Sequence, residues 1–282
     1  YTGVTRVDAG DLSLKDGGQV TNASTLSIAG AAASNAAVTI SGQGSQYTGG
    51  SPVAIADGAG ATGTLSVVDG GVVTVVGGFS LANGAGATAT VNVTGSGSSF
   101  TANGVGYVRG HSVINVTDGG YLSDVGTVFG AAADATIVVS DPGSRWDSRL
   151  TIGFSAGSQA ILNGGVLTAP TLRIAAASGK TATSLVSGTG SQLIVANATG
   201  LDVGAAGDGA LTIADGGEVS IGGGSGTLTL AGGAAGRGTL NIGGVEGEAA
   251  THTGTLDAAN VTFGSNLGTV NFNHIDNNYA FA

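Results

Sequence analysis

The stretch Val91-Asn92-Val93-Thr94-Gly95-Ser96-Gly97-Ser98-Ser99-Phe100 decides the fold. Its first residues alternate aliphatic and polar, which puts Val91 and Val93 on one face of an extended strand and Asn92 on the other. Gly95-Ser96-Gly97-Ser98 then breaks the alternation with a turn, and Phe100 reopens an apolar position just beyond it. The same order recurs around Ser41-Gly42-Gln43-Gly44-Ser45, Ser140-Asp141-Pro142-Gly143-Ser144 and Ser187-Gly188-Thr189-Gly190-Ser191, followed by Tyr47, Trp146 and Leu193. Between these copies lies a second turn: Asp16-Gly17-Gly18, Asp69-Gly70-Gly71, Asp118-Gly119-Gly120, Asn163-Gly164-Gly165 and Asp215-Gly216-Gly217. Together the turns begin at residues 16, 41, 69, 94, 118, 140, 163, 187 and 215, so that neighbours are 22 to 28 residues apart. Such a period marks a solenoid, a propeller or an array.

A third short segment completes each unit: Leu26-Ser27-Ile28, Val53-Ala54-Ile55, Phe79-Ser80-Leu81, Leu172-Arg173-Ile174 and Leu228-Thr229-Leu230 are examples. Three short strands bury too little on their own, so units must stack. A propeller blade needs four strands and about 40 residues, and the connections here are too short for a helical crossover. The expected fold is therefore all-β: a right-handed parallel β-helix of three-strand coils, with handedness taken from the general rule for parallel connections. It is expected to run as a single solenoid over residues 1–282, with alternating turn types over 1–245 and C-terminal coils over 246–282.

The turn residues have local causes. Gly44, Gly97, Gly143 and Gly190 hold one position in every copy, as expected where the backbone needs φ > 0. Pro142-Gly143 suits the central positions of a type II turn. Asp16, Asp69, Asp118 and Asp215, with Asn163 in the equivalent place, suit a tight corner, their carboxylates being expected to accept from backbone N–H groups two residues on.

Composition narrows the class further. Gly accounts for 55 of 282 residues, but only 3 Pro and no Gly at every third position exclude collagen. Disorder is excluded because 41% of residues are hydrophobic and 9% charged. A net charge of −10 disfavours nucleic acid, which needs clustered Lys and Arg. With no Cys, neither disulfides nor thiolate metal sites can form. No apolar run approaches the roughly 20 residues of a spanning helix, so direct membrane insertion by this segment is not expected. Tyr1-Thr2-Gly3-Val4 does not resemble a signal peptide.

The repeats resemble the passenger domains of type Va autotransporters, the AIDA-like surface proteins of Gram-negative bacteria. Gly254-Thr255-Leu256-Asp257-Ala258-Ala259, Val261-Thr262-Phe263-Gly264 and Phe272-Asn273-His274-Ile275-Asp276-Asn277-Asn278-Tyr279-Ala280-Phe281 are similar to the segment that precedes the C-terminal stem in that family. The resemblance implies an extracellular, cell-surface location, anchored by an outer-membrane barrel that this sequence does not contain. It speaks for scaffold and secretion route rather than for an activity.

Several motifs invite a sharper reading. Gly153-Phe154-Ser155-Ala156-Gly157 matches G-x-S-x-G, but that elbow needs a strand–turn–helix, and here it aligns with Ala82-Asn83-Gly84-Ala85-Gly86, an ordinary exit from the third strand. The D-G-G aspartates recur on alternate coils, too far apart to share a calcium ion with its six to eight oxygens. His111, His252 and His274 show no ligand spacing. Tyr47, Phe100 and Trp146 share a repeat position with Leu193, which favours a core row over a sugar-stacking one. No catalytic residue, metal or cofactor is assigned. The least regular region is the middle, where Arg145, Trp146, Asp147 and Arg149 share a coil flanked by Arg109 and Arg173. These six are the candidate ligand-binding residues.

The sequence thus points to a cell-surface adhesin, or a mediator of aggregation and biofilm. Its partners would be host-surface or matrix molecules, glycans, or a second rod, met by long polar faces. The alternatives are a polysaccharide-acting β-helix enzyme using the central patch, and an inert stalk for an upstream module.

Overall fold

The computed structural model describes residues 3–130 and 132–281, with 22 and 23 described by backbone alone; Tyr1 and Thr2 of the opening stretch lie outside these. The chain divides into two compact units, Tyr1–Ile137 with Gly143–Arg149, and Val138–Pro142 with Leu150–Ala282. Both are built as a parallel β-helix with three strands per coil, and none of the described elements is a helix.

In the first unit the alternating segments form a long sheet, in which Ala9–Lys15, Asn35–Ser41, Thr62–Val68, Thr88–Thr94 and His111–Thr117 stack in parallel. Beyond the turns, Gln46–Gly49, Val72–Val75, Ser99–Ala102, Tyr121–Asp124 and Arg145–Ser148 make a second sheet. Leu26–Ile28, Val53–Ile55, Phe79–Leu81, Gly106–Val108 and Thr127–Phe129 make the third. The second unit repeats the plan. Its long sheet stacks Gly157–Leu162, Thr181–Ser187, Asp208–Ala214, Arg237–Gly243 and Gly268–Asn273.

Period-two alternation decides which side chains meet. In the first long sheet Val38, Leu65, Val91 and Ile114 are register partners, all buried, while Thr39, Ser66, Asn92 and Asn115 form the outward row beside them. A slip of one residue would reverse every side chain, so the burial fixes the register. Tyr47, Phe100, Trp146 and Leu193 all point inward and are fully buried or nearly so. Phe100 packs against Phe79 with ring centroids 5.8 Å apart.

The two turn signatures occupy one corner and interlock along the stack. Gly44, Gly97, Gly143 and Gly190 have φ of +84°, +83°, +87° and +83°, as their position requires. The serine that closes each of these turns is buried, and its Oγ accepts the N–H of the first Gly in the D-G-G turn of the coil before. The bonds are Gly17 to Ser45 at 3.0 Å, Gly70 to Ser98 at 2.9 Å, Gly119 to Ser144 at 2.9 Å and Gly164 to Ser191 at 3.1 Å. In the other direction, Ser41 and Ser187 donate to Asp69 and Asp215 of the following coil, each at 3.1 Å.

The aspartates differ from expectation. Asp16, Asp69, Asp118, Asn163 and Asp215 have φ between +50° and +53°, each followed by a Gly that also has positive φ. Two consecutive left-handed residues make a type I′ turn, which Asp-Gly and Asn-Gly favour. The bond that closes it is backbone to backbone, as from Gly71 N–H to Val68 C=O at 2.9 Å, rather than to the carboxylate. The last glycine has a separate cause: a Cβ on Gly71 would lie 2.2 Å from the Ile40 carbonyl oxygen.

Candidate functional site

The six residues singled out by sequence do not converge. Trp146 is completely buried, so it presents no stacking face; its indole Nε1 donates to Asp124 Oδ1 at 3.3 Å. Asp124 lies on the preceding coil and is itself buried, accepting a second hydrogen bond from the Thr127 hydroxyl. Burial pushes its carboxyl above the ordinary carboxylate value, and the bonds from Thr127 and Trp146 oppose the rise. Sequence reading missed this pair, because Asp124 falls where the strand pattern expects a small or apolar residue.

Arg145 and Asp147 flank Trp146 on the outer face and satisfy each other, the guanidinium Nε lying 2.6 Å from both carboxylate oxygens. An exposed pair of this kind contributes little. Arg149 reaches two coils back to donate to Asn103 Oδ1 at 2.8 Å. Arg173 projects from the third sheet of the second unit, in register with Asp202. Burial raises the Asp202 carboxyl; a bond from Gly232 N–H and the charge of Arg173 counter it.

Arg109 stands apart, at the corner between the third sheet and the long sheet of the first unit. Its Nη1 donates to Asn83 Oδ1 at 2.6 Å, and its guanidinium carbon lies 5.1 Å from the centre of the Tyr107 ring. Tyr107, at 42% exposure, is the aromatic that the outer face presents here, next to Val128 at 49%. The signal was readable in Tyr107-Val108-Arg109: alternation around a buried Val108 turns both neighbours outward.

Ser155 of G-x-S-x-G is buried in a corner, as an ordinary strand exit would be. His111 faces Asp134 at 3.5 Å, and His252 faces Asp276 at 2.6 Å. His274 packs on Tyr279 and Phe272. Among the described residues, no three His, Asp or Glu gather as a metal set.

What remains are the outward rows. Asn115 Nδ2 donates to Asn92 Oδ1 at 2.9 Å, and Asn92 Nδ2 to Ser66 Oγ at 3.4 Å. In the second unit Asn271 donates to Asn241 at 2.9 Å and Asn241 to Thr212 at 3.1 Å. The first ladder orders the polar surface along the stack, whereas in the second Asn241 and Thr212 are buried.

Sheets and turns therefore define the class, a parallel β-helix with three strands per coil. No protein-family model and no curated protein matches the chain in sequence. Among solved structures, a similar chain is the TibC-catalysed hyper-glycosylated TibA fragment, 17% identical, with 95% of this chain and 97% of that one covered at a TM-score of 0.28. The class rests on the sheets and turns themselves.

Proposed function

We propose that this chain is a surface-displayed autotransporter passenger that acts in adhesion or cell aggregation. The observation that carries the reading is the outward row Thr39, Ser66, Asn92 and Asn115, four neutral hydrogen-bonding side chains in register on successive coils. Neighbouring coils repeat such groups at the strand spacing of about 4.8 Å, so a partner that matches one matches several, and weak contacts multiply into avidity. With 9% charged residues, little repulsion opposes the approach of a similar face or of a glycan. The resemblance of the repeats to AIDA-like passengers supports the same reading and adds the extracellular location.

The test is display on a non-adherent bacterium. Clumping, or binding to matrix-coated surfaces, is the expected result; cells that do neither would refute the proposal. Replacing Thr39, Ser66, Asn92 and Asn115 with Asp should abolish adhesion while leaving the β-sheet circular dichroism spectrum unchanged.

A further inference from the structure

The corner that leads from the third sheet into the long sheet is built as a shelf. Residues 29–34, 56–61 and 82–87 fill it on successive coils, and they are tied together by backbone bonds from Ala33 N–H to Ala59 C=O and from Gly60 N–H to Ala85 C=O, both 2.8 Å. On the next coil the shelf stops. Strand Gly106–Val108 is joined to His111–Thr117 by Arg109 and Gly110 alone. The stack thus lacks one layer, and the space left is a cavity of about 430 Å³, floored by residues 82–88 and walled by Arg109, His111 and Ala132.

The missing layer sets the chemistry of the notch. By the pattern of the two coils before, Gly86 N–H should bond to a carbonyl of the absent layer; among the described residues it has no partner. Gly86 is exposed at the edge of the notch, so its N–H is open to a ligand. Beside it are the Asn83 amide, the Arg109 guanidinium and the His111 ring. Arg109 bonds a neutral amide rather than a carboxylate, and among the described residues it has no ion-pair partner. Its charge is felt by the half-buried Asp57 carboxyl, countering the rise that burial causes there, but is closed by no ion pair among the described residues, in a chain whose net charge is −10. Two carboxylates stand nearby without closing the site: Asp134 faces His111, and the half-buried Asp57 accepts from Ser80 at 3.5 Å. Outside the cavity lining, the exposed Tyr107 ring lies 5.1 Å from the Arg109 guanidinium carbon, with exposed Val128 as its register partner on the next coil.

We infer that this notch is a binding site for an acidic sugar, its carboxylate held by Arg109 and the Gly86 N–H and its ring lying along Tyr107 and Val128. Guanidinium recognises carboxylate through paired, charge-assisted hydrogen bonds, and an exposed tyrosine offers apolar area with a polar tip. The inference deepens the adhesive reading and rests on it, by naming the class of glycan that would be bound.

The test is NMR titration of the purified chain with glucuronate, with glucose as the neutral counterpart and inorganic sulfate as the free anion. Glucuronate should shift the amides of Gly86 and Arg109 and bind at least about tenfold more tightly than glucose or sulfate, the scale of one charged hydrogen bond. Arg109→Ala should weaken glucuronate by about tenfold or more, whereas Arg237→Ala, an exposed arginine in the other unit, should not. Absence of glucuronate binding, shifts that avoid Gly86, equal loss in both variants, or sulfate binding as tightly as glucuronate would each overturn the assignment, whether or not displayed cells adhere. Arg109-dependent glucuronate binding beside non-adherent display would uphold the site and sink the adhesive reading instead.

Discussion

At the scale of single residues, two buried polar groups control more than their size suggests. Ser98 is 1% exposed; its Oγ accepts from Gly70 N–H and donates to the Thr94 carbonyl at 2.7 Å. Ser98→Ala strands both backbone groups and should cost about 1–3 kcal/mol in denaturant unfolding, with faster amide exchange at Gly70. Asp124 poses the opposite case. Its carboxyl is raised by burial, so ionisation works against the folded state: stability falls as pH rises from the ordinary 3.8 through the raised value, and the loss is complete above it. Asp124→Asn keeps the acceptor for Trp146 and removes the charge, so it should match or exceed the parent at pH 7. Asp124→Leu leaves the indole N–H unpaired and should cost about 1–3 kcal/mol. The serine was legible in the sequence as part of a repeated motif. The aspartate was not, since nothing local to Asp124 tells that a tryptophan one coil later points its N–H inward.

At the scale of elements, the strand Gly157–Leu162 breaks the rule that the long sheet buries aliphatics. Gln159 is 2% exposed, in register with the buried Ser184, and among the described residues neither its amide nitrogen nor its oxygen has a hydrogen-bond partner. Gln159→Leu removes an unsatisfied amide at similar volume and should raise the unfolding free energy by about 1 kcal/mol. A second departure is the excursion 244–254, which replaces the turn after Arg237–Gly243. It is latched by Asp276, which accepts from Thr253 N–H at 2.6 Å, from His252 Nδ1 at 2.6 Å and from the Thr253 hydroxyl at 2.8 Å. These bonds, the Thr253 N–H first, hold the Asp276 carboxyl down at about 2, and Asp276 in turn raises His252 above 6.5. The Asp276 contribution is present above 3.8 and lost as pH falls through about 2. The His252 contribution is full below 6.5 and lost as pH rises through its raised value. Exchange of the Thr253 amide should therefore be slowest between these limits once corrected for intrinsic rate, and Asp276→Asn should flatten the profile. The pairing spans His252 and Asp276, so spacing alone gave no hint of it.

At the scale of the whole molecule, composition sets the character of the surface. Eight basic and 18 acidic residues in 282 leave long polar rows with few charges. Adhesion through neutral hydrogen-bonding rows should survive a change from about 50 mM to about 500 mM NaCl, which shortens the screening length several-fold. Clumping that collapses over that range would mean that charges rather than the rows hold the cells together. The notch at Arg109 is the exception within the same molecule: a carboxylate held there should weaken as salt rises, so the two modes separate in one titration.

The sequence by itself determined the strands, their inward faces, the three-strand coil and the glycines of the turns. Each of these follows from a period or a backbone requirement that neighbouring residues already express. Only the tertiary structure decided what adjacent coils do to one another: that Ser98 caps the turn before it, that Trp146 is buried against Asp124, and that a shortened corner leaves Arg109 beside an open notch. The reason is physical. A parallel stack sets residues more than twenty positions apart at hydrogen-bonding distance, and which of their side chains meet depends on corner lengths that vary from coil to coil.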